Sequence, residues 1–190
     1  MRKTITIGYM ILIIYTIVHL TFNFSNGNIL INIFMLQVDP LILAVFNMLG
    51  LFPLAFILFA FTTNKLNKLD FVPLLFGFVL GGFASTPYFI YKEKPLFRKI
   101  KWFKEIALVG MIMTFFTILG GLLMGNIHAY IDAFLNDSFV HIMTIDFIFM
   151  VFISPLILKP ISKYYLLGLI PIIGIFLVIF IESYKENKEN

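Results

Sequence analysis

The chain has 190 residues, of which 61% are hydrophobic and 13% charged, against about 45–50% and about 25% in soluble domains. A soluble fold of this size would have too little polar surface to cover itself, and no hydrophilic block is long enough for a separate soluble domain. The absence of cysteine excludes disulfides, thiolate metal sites, Fe–S clusters, cysteine nucleophiles and S-palmitoylation. The net charge of +4 sits in short clusters beside apolar runs, which points to anionic lipid headgroups and away from nucleic acid.

These bounds predict an all-α fold, a polytopic transmembrane helix bundle forming a single integral membrane domain over residues 1–190. Runs of about 17–25 apolar residues are long enough to cross a bilayer as helices. The first runs from Thr4 to Phe22; Arg2 and Lys3 precede it, but no small-residue cleavage pattern follows, so it is read as an anchor. Ile29 to Val38 is too short to span and is expected to lie in the interface or re-enter. The second span, Leu41 to Phe61, opens with Asp39-Pro40 as N-cap and first helical residue and carries Asn47 and Pro53. The third, Phe71 to Tyr91, is expected to be capped by Asp70, and Gly77, Gly81 and Ser85 recur in it every four residues.

Pro95 to Lys104 is an amphipathic, interfacial stretch in which Arg98, Lys99, Lys101, Trp102 and Lys104 form a membrane-surface set. The fourth span, Glu105 to Gly125, carries Thr117, Gly121 and Gly125 at the same four-residue spacing. Small residues so placed let helix backbones approach closely in lipid. The fifth span is Ser138 to Leu158, and the sixth, Tyr164 to Glu182, is interrupted by Pro171. No internal repeat is visible in the residues.

The stretch 92–104 carries six Lys or Arg and 126–137 none, so the positive-inside rule places 92–104 in the cytoplasm of a cell membrane. Six alternating spans then leave both termini outside, with Arg2, Lys3, Lys65 and Lys68 on the wrong side. The same alternation puts the sequons at Asn23 and Asn136 on opposite faces.

Asp146 sits eight residues into the fifth span, about 12 Å along a helix and so close to mid-membrane, where an ionisable group is a functional-site hypothesis by default. Nothing on its own helical face satisfies it. Depth counting proposes a midplane polar layer of Asp146 with Pro53, Gly77, Gly81, Thr117 and Asn47. Pro53 leaves the carbonyl of Leu49 without its helical donor, and a neutral Asp146 would donate to it. At one membrane face His128 and Asp132, and Asp137 and His141, are spaced four apart, which proposes a Zn²⁺ or Mn²⁺ ligand set; the competing reading is surface pairs with Asp137 as a helix cap.

The stretches FNMLGLFPLAF (Phe46 to Phe56), PLLFGFVLGGFASTPYF (Pro73 to Phe89) and IDFIFMVFISPLIL (Ile145 to Leu158) together resemble a poorly characterised family of small multi-span membrane proteins found in cyanobacteria and chloroplasts. The resemblance singles out Asn47, Pro53, Gly77, Gly81, Pro87, Tyr88, Asp146 and Pro155, and implies no particular activity.

Three functions follow. The first is a non-catalytic scaffold or assembly protein, with a membrane partner or a second copy, in which Asp146 is sealed by helix contacts. The second is a small proton- or cation-coupled transporter component, in which Asp146 and the Pro-broken second and sixth spans form a midplane site reached by a hydrated cavity. The third is an interfacial lipid-modifying enzyme using the His/Asp cluster. No cofactor is expected, and the first reading makes the protein no enzyme.

Overall fold

The computed structural model describes residues 2–63, 66–92 and 102–185. It is helical, with no strand among the described residues: α1 (Arg2–Phe22), α2 (Ile29–Phe34), α3 (Pro40–Thr63), α4 (Phe71–Leu80), α5 (Gly82–Tyr91), α6 (Phe103–Met124), α7 (Ile127–Asn136), α8 (Ser138–Leu158) and α9 (Ile173–Lys185), with 3-10 turns at Lys68–Asp70 and Tyr165–Leu169. Four of these, α1, α3, α6 and α8, are long and apolar enough to cross a membrane. The core lies along α3 and α8, where Phe52, Phe56, Ala60, Met150 and Leu158 are fully buried, joined by Phe176 and Ile179 of α9. By contrast α1 and α6 turn large apolar side chains outward, among them Ile7, Ile11, Phe116 and Leu122, which in water would be a costly patch and in hydrocarbon costs nothing.

The third expected span is not one helix. Gly81, at φ 56° and ψ −131°, ends α4, a backbone state that L-residues rarely adopt, and α5 runs back alongside it. A Cβ added to Gly77 would lie 3.2 Å from the Cβ of Ser85 and 3.2 Å from the ring of Pro53. At the feet of this hairpin Asp70 accepts from the Tyr91 hydroxyl at 3.1 Å and pairs with the Lys92 ammonium. Each arm has ten residues, about 15 Å, half a span. The small residues spaced by four mark no stripe on a single helix; they let two antiparallel helices touch about Gly81. Asp70 likewise does not cap α4, since its carboxylate is engaged by Lys92, Tyr91 and the Asn67 N–H.

The sixth expected span also folds back. The chain enters through the 3-10 turn, reverses at Ile170 to Ile172, where Ile172 has φ 60°, and returns as the 13-residue α9. Ser162 donates to Glu182 Oε1 at 2.7 Å, tying the feet, and Gly174 lies so close to the Leu167 carbonyl that no Cβ fits. Among the described residues the bundle therefore has four full-length helices and two hairpins where the sequence predicts six spans.

This arrangement fixes which segments share an end. Arg2 donates to the Lys92 carbonyl, so the start of α1 lies beside the feet of the first hairpin. At the opposite end the Ser138 N–H donates to the Ser25 carbonyl at 3.0 Å and the Asn126 N–H to Asp39 Oδ2 at 2.9 Å. The two sequons are neighbours here, contrary to the alternation of six spans.

An internal duplication emerges that the residues do not display. Each half runs long helix, short helix, long helix, hairpin: α1, α2, α3, α4–α5, then α6, α7, α8, 3-10–α9. The packing interchanges with the halves. α3 lies on α6 as α8 lies on α1; α5 lies on α1 as α9 lies on α6; α5 meets α8 as α9 meets α3; and α2 meets α8 as α7 meets α3. Asp39 Oδ1 caps α3 through Leu41 N–H while Oδ2 reaches Asn126 in the other half. Asp137 Oδ1 caps α8 through Val140 N–H while Oδ2 takes Gly27 N–H at 2.7 Å in the first half. The two capping aspartates thus play one role twice, each stitching its helix to the opposite half.

Candidate functional site: a lateral cavity ending on Asp146

Asp146 and the tip of the first hairpin are built for each other. The first amides of a helix have no partner within it, and the Gly82 N–H at the start of α5 donates to Asp146 Oδ2 at 2.9 Å. The positive end of the α5 dipole faces the same carboxyl. A Cβ on Gly82 would sit 2.5 Å from Asp146 Oδ1 and 2.9 Å from Met150 Cγ, and one on Gly81 would overlap Oδ2. The Gly81-Gly82 doublet is therefore required twice, once for the reversal and once for the approach. Asp146 is 3% exposed, and its Oδ1 has no hydrogen-bond partner among the described residues.

A cavity of about 820 Å³, within the size range of small-molecule sites, has Asp146 in its lining. It lies between α3 and α8, is floored by the hairpin tip, and extends toward the Asp39/Asp137 end under α2. Six phenylalanines, Phe24, Phe34, Phe46, Phe78, Phe83 and Phe139, line it; the polar lining is Asn47, Ser138 and Asp146. Gly50 faces open space within it, where an added Cβ would meet nothing within 4 Å. Ser138 is already used, accepting from the Ser25 N–H at 2.9 Å. Phe34 and Val79, at the rim, are 74% and 80% exposed, so the mouth opens sideways past α2 and α4.

Of the expected midplane layer, Gly77, Gly81, Asn47 and Asp146 meet at this cavity. Pro53 packs behind α4 against Gly77. The Leu49 carbonyl is not the partner of Asp146, whose place is taken by the Gly82 N–H. Thr117 lies elsewhere, bonding the Met113 carbonyl of its own helix at 2.9 Å, because α6 packs on α3 and α9, away from the hairpin tip. The small stripe of α6 does bring backbones together: Cβ atoms at Gly121 and Gly125 would stand 2.5 Å from Ala44 Cβ and Leu41 Cβ.

The proposed metal set is not assembled, and no group of three or more His, Cys, Asp or Glu that could hold a metal occurs among the described residues. Asp137 is spent on its cap and on Gly27, Asp132 accepts from Asn136, and His128 is exposed. His141 instead stacks between His19, at 4.1 Å, and Phe134, at 4.3 Å. Its Nδ1 is 3.0 Å from the Phe134 carbonyl, which can only accept, so Nδ1 carries the proton and, in the neutral ring, Nε2 accepts from the Tyr15 hydroxyl at 2.5 Å. Of the membrane-surface set, Arg98, Lys99 and Lys101 lie outside the described residues, Trp102 is 68% exposed, and Lys104 pairs with Glu105 at 3.5 Å.

Sequence reasoning missed Gly82, Gly50 and the aromatic walls. The first had a signal, since a Gly-Gly doublet inside an apolar run marks a turn. No protein-family model, curated protein or solved structure matches the chain.

Proposed function

We propose that the protein is a membrane-embedded carrier component that takes an amphiphilic small molecule sideways from the bilayer into the cavity and brings its polar end to Asp146. The observation that carries this reading is the cavity itself. A scaffold expects tight packing on every side of a buried acid, whereas here about 820 Å³ of space is bordered by Asp146. Broken helices are tolerated at membrane depth where they line a cavity, and such breaks form the binding sites of many transporters.

In this reading α1, α3, α6 and α8 cross the bilayer and both hairpins dip in from one face. All fourteen Lys and Arg of the sequence then fall in segments joined to that face, at positions 2–3, 65–68, 92–104, 159–163 and 185–188, while 23–39 and 125–137 carry none. The positive-inside rule places that face and both termini in the cytoplasm, and the same charges would rest on anionic headgroups. The cavity then occupies the outer leaflet, with Asp146 at its inner end.

The test uses purified protein in nanodiscs and three ten-carbon probes: 1-decanol, decylamine and decyl sulfate. At least one should bind saturably, about one per chain, and exchange across liposomes faster with protein than without. Gly50→Phe, which fills the cavity from a position with free space, should abolish both effects. Saturable binding of none of the three, or full binding and exchange by Gly50→Phe, would contradict the reading.

A further inference from the structure

The cavity has a chemical asymmetry that selects among amphiphiles. Among the described residues its lining includes one ionisable side chain, Asp146, and no Lys, Arg or His. The carboxyl is half satisfied: Gly82 N–H serves Oδ2, and Oδ1 is buried with no donor. Leaving a buried polar group unpaired is costly, and leaving a buried charge unpaired costs more. The chain's remaining polar lining does not supply the donor. Asn47 makes no hydrogen bond with Asp146, and Ser138 is engaged at the far end with the Ser25 N–H.

A molecule entering the cavity meets one acid and six phenylalanines, which favours an N–H or O–H donor that carries a positive charge and an apolar body. The rings add to this preference, because their negative faces attract a cation once water is excluded. An anionic headgroup would meet the Asp146 carboxyl and no cationic side chain. Glycine at 81 and 82 leaves the carboxyl its place at the hairpin tip, since a Cβ at either position would collide with one of its oxygens.

We infer that the ligand of this cavity is a lipophilic amine, bound as the ammonium with an N–H donated to the Asp146 carboxyl and its apolar body among Phe34, Phe46 and Phe139. The inference rests on the carrier reading, and adds to it the class of molecule carried. An ammonium bonds the carboxyl and neutralises the site in one contact, by the stronger, charge-assisted kind of hydrogen bond.

The same nanodisc assay decides it. Decylamine should bind wild-type protein at least about tenfold more tightly than 1-decanol or decyl sulfate, a factor consistent with one charge-assisted hydrogen bond. Asp146→Asn should reduce that preference to within about threefold while 1-decanol binding persists, which reports an intact cavity. Equal binding of amine and alcohol by wild-type protein, or an undiminished preference in Asp146→Asn, overturns the inference and leaves the carrier reading standing. Loss of every probe from wild-type protein removes the carrier reading itself. Should Asp146→Asn bind no probe, wild-type protein still decides through decyltrimethylammonium, which has the charge but no N–H. It should bind at least about tenfold more weakly than decylamine, and equal binding overturns the inference.

Discussion

Replacing Gly81 by alanine perturbs the hairpin in two separable ways. The residue sits at φ 56° and ψ −131°, a conformation that costs an L-residue roughly 1–3 kcal/mol. Its new Cβ would also overlap Asp146 Oδ2, which must then leave the Gly82 N–H it accepts from at 2.9 Å; leaving that buried amide unpaired costs about 1–3 kcal/mol. The sum, about 2–6 kcal/mol, reaches beyond the cost of most single substitutions. A double-mutant cycle separates the parts. With Asp146→Ala in the background the collision with the acid is gone and the nearest remaining atom is the end of the flexible Leu49 side chain at 3.2 Å, so Gly81→Ala should cost little beyond the backbone share, and the coupling should be about 1–3 kcal/mol. Reversible unfolding in mixed detergent gives the four free energies, and hydrogen exchange at the Gly82 amide reports the bond directly. Coupling near zero, with Gly82 exchange unchanged in Gly81→Ala, would refute the contact between hairpin tip and acid.

Other consequences follow from the packing and the clasp. Gly121→Leu should destabilise the bundle by about 1–3 kcal/mol through overpacking, because its Cβ would stand 2.5 Å from Ala44 Cβ, whereas Gly120→Leu, with nothing within 4 Å, should cost little in the same unfolding measurement. Asp70 ties the feet of the first hairpin: its burial works against the charged form, but hydrogen bonds from Lys92, the Asn67 N–H and Tyr91 outweigh it and hold the carboxyl below the usual range. A depressed carboxyl contributes stability that is present above about pH 4 and fades as pH falls through the lower folded value. Hydrogen exchange in α5 should therefore accelerate in that acid window for wild-type protein, while Asp70→Asn should exchange faster already at neutral pH and show no such step.

Much of the helix inventory could be read from the residues, because composition and run length are local properties. Asp39 and Asp137 could be recognised as caps, since capping depends on the residue and its next few neighbours. What could not be read was direction. A 21-residue apolar run satisfies the length rule whether it crosses or folds at its middle, and folding is signalled only by a single glycine doublet and the match of Asp70 to Lys92 across the reversal. That one misreading propagated: it inverted every later segment, scattered the basic residues over both faces and separated sequons whose neighbours Ser25 and Ser138 are in contact. For the site, the depth of Asp146 was readable by counting, but depth does not give azimuth. Thr117 therefore shared a layer with Asp146 by count while facing a different helix, and the His/Asp pairs shared spacing without converging.

The hairpin also explains why the duplication escaped notice. The two halves agree in element order and contacts, yet the first reversal uses Gly81 and the second Ile172, each at positive φ, and one inward arm is an α-helix where the other is a 3-10 turn. Similar topology is reached through different local chemistry.

Whether the chain folds back at Gly81, and so presents a helix end to Asp146, is tested most directly by sidedness. With no native cysteine, single cysteines at Leu69, Trp102 and Leu135, each more than 60% exposed, can be labelled with a membrane-impermeant maleimide in sealed vesicles of known orientation. The fold predicts that Leu69→Cys and Trp102→Cys react from the same face and Leu135→Cys from the other. Reaction of Leu69→Cys and Trp102→Cys from opposite faces would show that 71–91 crosses the membrane, and would contradict the hairpin and the site built on it.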